Sequence, residues 1–123
     1  MNPTRRVLLA EDDPLVGAVL VPLLRDLDLE VFSVTSGDEA LAALADTDFD
    51  VLVTDLCMPG ATGVEVMKLA RERIPQARLV MVSGYADDVT RQEVEELGGR
   101  LLHKPFGVKE LRLAVLGESL TRA

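Results

Sequence analysis

The 123-residue chain predicts an α/β domain built on a parallel sheet. Three observations lead there. Five short runs rich in Val and Leu punctuate the chain, and helical patterns separate them. Strand alternating with helix gives a parallel sheet with right-handed crossovers. The first, third and fourth runs are almost wholly apolar, as strands covered on both faces must be.

The elements follow in order. RVLLA (6–10) reads as the first strand. Asp13-Pro14 then marks a helix start, an N-cap followed by proline in the first helical position. This first helix is apolar nearly all round. With Val16, Leu20, Leu23 and Leu27 toward the core, Leu15 and Ala18 face away, as surface scatter or as a patch for a partner. Pro22 removes a backbone donor inside it, so a kink or an early end is expected. EVFSV (30–34) is the second strand. Ser36 through Glu39 forms a capping-box pattern that opens the second helix.

DVLVT (50–54) is the third strand, and Thr62 through Glu65 repeats the capping box. Val64, Met67, Ala70 and Ile74 then share one helical stripe. RLVMVS (78–83) is the fourth strand. The fourth helix lies within DDVTRQEVEELGG (87–99), where acids abound and apolar residues are few. It is expected to pack thinly and to be among the less stable segments. RLLH (100–103) is the fifth strand. A last helix over roughly 108–121 carries Val108, Leu111, Val115 and Leu116 toward the core.

Composition narrows the function. Hydrophobic residues make up 48%, enough for a core without a metal or disulfide staple. One cysteine and one histidine exclude an internal disulfide, a cysteine zinc cluster and a histidine-rich metal site. The net charge of −8 argues against nucleic-acid binding by this chain. The acidity serves solubility, or some of the acids gather around a cation. The opening MNPTRRVLLAEDD is too short for a signal peptide, and no apolar run reaches the ~20 residues a membrane span needs. A cytoplasmic location and one domain over 1–123 are expected.

In open parallel α/β sheets, sites form at the carboxyl ends of the strands. Strand one ends in Glu11, Asp12 and Asp13, and strand three in Asp55. Strand four ends in Ser83-Gly84, and strand five in Lys104-Pro105. Each has an ordinary role available: Asp13 as a helix cap, Ser83 as a strand closure, Lys104 as a solvated charge. Together they suggest more. Carboxylates brought together repel one another, and magnesium relieves that with a preference for hard oxygen ligands. A lysine adds a positive point for a phosphoryl oxygen. The Ser83 hydroxyl and a backbone N–H near Gly84 could bind another oxygen. An aspartate so placed can attack phosphorus and become an acyl phosphate.

These residues resemble the receiver domain of two-component response regulators. The resemblance covers essentially the whole chain. It rests on AEDD after the first strand, DLCMPG at the end of the third, VSGYAD after the fourth and HKPF after the fifth. SGYADD and LLHKPF are similar to receivers attached to hybrid histidine kinases. The resemblance implies a flavodoxin-like sheet of order 2-1-3-4-5 with helices on both faces. It implies Asp55 as phosphoacceptor, with Mg2+ held by Glu11, Asp12, Asp55 and the backbone carbonyl of Cys57. It implies Ser83 as the switch hydroxyl, Lys104 as the phosphoryl-binding lysine and a cis Lys104-Pro105 bond. The implied partner is a histidine kinase or histidine phosphotransfer domain, with a downstream protein target and no membrane. Such a domain is a signalling phosphoacceptor that assists its own phosphorylation and dephosphorylation rather than an ordinary enzyme. Switching is expected around Ser83, the fourth helix and the fifth strand. One position departs from the family pattern: Leu101 stands where many receivers carry Tyr or Phe. Tyr85 is a candidate substitute.

Other classes fit less well. A haloacid-dehalogenase-type phosphatase needs an aspartate two residues after its nucleophile, and Cys57 stands there. Dinucleotide binding lacks its G-x-G-x-x-G after strand one. A receiver fold used only for docking, never phosphorylated, is the alternative reading. His103, at a strand end, reads as structural rather than as a phosphate donor. Cys57 reads as a position whose side chain is free to vary.

Overall fold

The computed structural model describes residues 5–117. Five parallel strands lie in the order β2-β1-β3-β4-β5. They are β1 (Arg5–Ala10), β2 (Leu29–Val34), β3 (Val51–Asp55), β4 (Arg78–Ser83) and β5 (Arg100–His103). The helices between and after them are α1 (Pro14–Arg25), α2 (Gly37–Asp46), α3 (Gly63–Arg73), α4 (Asp88–Glu96) and α5 (Val108–Leu116). The predicted end of the last helix, 118–121, lies outside the described residues.

Side chains alternate across a strand, so each central strand feeds two cores. Leu8, Leu52, Leu79 and Met81 pack under α2, α3 and α4. Val7, Leu9, Val53, Val80 and Val82 pack under α1 and α5 with Leu20, Leu24, Leu111 and Val115. This double burial explains why the central runs contain almost no polar residue.

Several local expectations are refined. α1 does not stop at Pro22; it continues to Arg25, and Asp26 N–H donates to the Pro22 carbonyl at 3.0 Å. Pro22 and Ala18 are both exposed, so the carbonyl deprived of its partner lies on the water side. The buried residues of α1 are Leu20 and Leu24, while Val16, Leu23 and Leu27 are only partly covered. Leu15 faces solvent, as expected, and Val19 joins it. Val108 is also exposed rather than core-facing, because α5 turns Leu111, Ala114 and Val115 inward. Thr62 and Glu65 form the full reciprocal cap on α3. At α2 only half of that pattern holds. Ser36 accepts from Glu39 N–H, but the Glu39 carboxylate turns to the backbone and hydroxyl of Thr35.

No helix among the described residues is long and apolar enough to cross a membrane.

Candidate functional site

The carboxyl ends of β1, β3, β4 and β5 converge on one rim. Glu11 follows β1 with its side chain buried, and its Oε2 accepts from Asp13 N–H at 3.1 Å. Asp12 beside it is exposed, and Asp55 at the end of β3 is half-buried. Glu11, Asp12 and Asp55 each bring a carboxylate oxygen within 4.8 Å of the others. Lys104 reaches in from the end of β5, with Nζ 3.2 Å from Asp55 Oδ2 and 3.4 Å from Glu11 Oε1. The peptide bond from Lys104 to Pro105 is cis.

The electrostatics follow from this packing. Burial raises the Glu11 carboxyl above its ordinary value, and the charge of Asp55 adds to that. The Asp13 backbone bond and the Lys104 charge oppose the rise. Burial works against the Lys104 ammonium, but its bond to Asp55 and the charges of Asp55 and Glu11 outweigh that and raise its pKa. The cluster thus holds several acids against one cation. Three hard oxygens at this spacing suit a divalent cation that prefers oxygen ligands.

Asp55 is braced by its own loop. Its Oδ1 accepts from Leu56 N–H at 2.6 Å, and Thr54 Oγ1 donates to its carbonyl at 2.9 Å. A Cβ at Gly63 would fall 2.1 Å from that same carbonyl, so the first turn of α3 lies directly against the strand end. Asp38, at the start of α2, accepts from Ala61 N–H at 3.0 Å and steadies the far side of the loop. Sequence reasoning did not find Thr54 or Asp38. Their partners are set by the fold, and an acid in a first helical turn has an ordinary explanation already.

Ser83 is buried, and its hydroxyl is engaged elsewhere. Oγ donates to the Tyr85 carbonyl at 2.6 Å and accepts from Tyr85 N–H at 3.1 Å. Tyr85 itself points into solvent, and Leu101 is half-buried against the α4 side of the core. Asp13 caps α1, accepting from Leu15 N–H at 2.9 Å. Cys57 is exposed in the loop after β3. His103 is exposed at the end of β5, where its backbone pairs with Ser83 of β4. Beside Lys104, an apolar groove of about 510 Å³ runs between α1 and the start of α5, lined by Leu15, Val19, Phe106 and Val108 among others.

The family model of the response regulator receiver domain matches residues 7–116. The chain is a response regulator receiver domain. The response regulator receiver protein CpdR of Brucella abortus is 30% identical over 108 residues, which cover 87% of this receiver and 90% of that protein. The sensor kinase CckA of Brucella abortus is 32% identical over 118 residues, 94% of this receiver but 12% of the kinase. The chain likewise spans less than half the length of several other curated relatives it matches. Among solved structures, the chemotaxis response regulator CheY4 of Vibrio cholerae superposes with a TM-score of 0.78 at 28% identity, covering 98% of each chain. The strand order that the resemblance implied is the order observed.

Proposed function

We propose that this receiver takes a phosphoryl group onto Asp55 from a phosphohistidine on a histidine kinase or histidine phosphotransfer domain. One observation carries the reading: Lys104 Nζ lies 3.2 Å from Asp55 Oδ2 beside the oxygens of Glu11 and Asp12. In the proposed step an Asp55 carboxylate oxygen forms the new O–P bond as the P–N bond of the donor breaks. The imidazole nitrogen leaves with the electron pair and takes a proton from solvent. Lys104 binds a phosphoryl oxygen and exchanges its ion pair with Asp55 for one with the product. Glu11, Asp12 and Asp55, with the backbone carbonyl of Cys57, are the proposed ligands of Mg2+. When bound, the ion supplies positive charge to the phosphoryl oxygens. The Ser83 hydroxyl then trades Tyr85 for the phosphoryl group, a shift in population between two states. The same residues would assist hydrolysis of the aspartyl phosphate.

The working unit in this reading is the single domain 1–123, acting in the cytoplasm on a protein target. The groove between α1 and α5 is lined by Lys104, and its exposed apolar residues support docking of the donor protein there.

Intact mass after incubation with acetyl phosphate tests the chemistry. One added phosphoryl group is expected, requiring both magnesium and Asp55 and absent in Asp55→Asn. Incorporation into Asp55→Asn at an equal level would sink the assignment. No incorporation into wild type, even from a cognate kinase, would favour the docking-only reading. Leu15→Asp separates docking from chemistry. It should slow transfer from the protein donor while leaving acetyl phosphate labelling unchanged, and equal slowing of both would remove the groove from the docking surface.

A further inference from the structure

The loop between Asp55 and α3 is tied down by backbone bonds. Gly63 N–H closes it across its ends, donating to the Leu56 carbonyl at 2.8 Å. Two further ties come from the first residues of α2. Gly37 N–H donates to the Pro59 carbonyl at 3.0 Å, and Asp38 Oδ1 accepts from Ala61 N–H at 3.0 Å. The two segments touch there, since a Cβ at Gly37 would overlap the Ala61 carbonyl. Gly60, at φ +79°, bends the chain around the Asp38 carboxylate, and a Cβ on it would fall 2.5 Å from Asp38 Cγ.

Both anchors are firm. α2 buries Ala40 and Leu44 in the core. α3 buries Val64, Val66, Met67 and Ala70, and its Arg71 donates from Nε to the Leu97 carbonyl at 2.8 Å and from Nη1 to the carbonyls of Pro75 and Ala77. Cys57 lies between the ties and has none of its own. It is exposed, and among the described residues its N–H and carbonyl have no hydrogen-bond partner. The place of its carbonyl is therefore set by the bonds of its neighbours. An acid in the first turn of a helix ordinarily serves the N–H groups and dipole of that helix. Asp38 does otherwise, because among the described residues its hydrogen bond goes to Ala61, 23 positions away.

We propose that Asp38 is a positioning residue for the proposed metal site: it holds the loop after β3 so that the Cys57 carbonyl keeps its place beside Glu11, Asp12 and Asp55. This rests on the ligand set of the proposed function. A carboxylate can adjust to an ion by rotating its side chain, whereas a carbonyl ligand moves only with its backbone. Mg2+ makes the demand strict, since it requires near-octahedral geometry at short range. Asp38 itself stands outside the carboxylate cluster and acts through Ala61 and Gly60.

Mg2+ titrated alone, with the amide shifts of Leu56 and Met58 followed by NMR, tests the role. In Asp38→Ala the Mg2+ affinity should fall about tenfold, the low end of the loss typical when a group that orients a metal ligand is removed. Asp38→Asn keeps an acceptor for Ala61 N–H and should stay within about twofold of wild type. Urea unfolding without Mg2+ should show one cooperative transition in both variants, since Asp38 is exposed and outside both cores. Uptake from acetyl phosphate should split in the same way. Asp38→Ala should need about tenfold more Mg2+ for half-maximal uptake, yet reach the wild-type level at saturation. Equal affinity in Asp38→Ala and wild type would overturn the proposal. So would an Asp38→Asn that falls as far as Asp38→Ala, which would leave Asp38 acting by charge alone. If the affinities follow the expected order but wild type takes no phosphoryl group, the positioning role stands and the phosphoacceptor reading falls. Wild type without saturable Mg2+ binding would remove both.

Discussion

Two helices leave the rim of the site side by side, α3 from β3 and α4 from β4, and both cover the same face of the sheet. α3 buries Gly63, Val64, Val66, Met67 and Ala70, while α4 buries only Val94. The loop into α3 is crowded: Gly63 touches the Asp55 carbonyl, and Asp38 braces Ala61. The loop into α4 is open, and a Cβ at Gly84 would meet nothing within 4 Å. The difference shows where the rim is backed by a core and where it is not. Asp55 stands before a helix locked into the core, and Ser83 stands before a helix that buries a single residue.

The largest test of that contrast is in the core. Met67→Ala should lower global stability by about 2–5 kcal/mol, because a fully buried side chain leaves a cavity beneath α3. Val94→Ala removes two methyl groups and should cost about 1.6 kcal/mol, mostly as looser exchange in α4. Urea unfolding of both variants decides it, and equal losses would erase the distinction. A second test moves to the loops. Gly63→Ala should destabilise by about 1–3 kcal/mol and cut phosphoryl uptake, since the new methyl group meets the Asp55 carbonyl. Gly84→Ala should stay within about 0.5 kcal/mol of wild type. If Gly84→Ala proved the more damaging, the second loop would not be the open one.

The smallest effect concerns the caps. A bond from Thr90 N–H holds the Asp87 carboxyl below its ordinary value, whereas the corresponding Glu65 N–H of α3 donates to the neutral hydroxyl of Thr62, with the Glu65 carboxylate on Thr62 N–H. A depressed acid stabilises above its unfolded pKa of about 3.9 and loses that contribution as pH falls through the lower folded value. Acidification should therefore weaken the bond from Thr90 N–H before the bond from Glu65 N–H, whose acceptor carries no charge. Asp87→Asn, which keeps a capping oxygen, should remove the pH dependence. The Thr90 and Glu65 amide shifts followed by NMR between neutral pH and pH 3 would show whether the order holds.

What could be read from the sequence tracks what is local. Strand runs, helix stripes and the Thr62 cap were legible because period and spacing express burial directly. The rim was legible because strand ends are known once strands are, so Glu11, Asp12, Asp55 and Lys104 could be grouped before any distance was seen. Val108 was misjudged because α5 meets the core through Leu111, Ala114 and Val115, while its first residue stands at the exposed start of the helix. Glu39 was misjudged because its carboxylate takes both the N–H and the hydroxyl of Thr35, one residue before the cap. Arg71 was invisible because its partners are carbonyls of residues 75, 77 and 97, which carry no side-chain signature.

The Ser83 hydroxyl uses both its hydrogen and a lone pair on one neighbour, Tyr85. For a signalling part, that sets a threshold against noise. A hydroxyl left half-satisfied would wander toward any passing acceptor and give a steady background of false alarms. Under the proposed function, a stray fluctuation would have to break two bonds together before Ser83 could turn toward a phosphoryl group. On that reading, silence would be an actively held condition, written into one serine and the backbone two residues on.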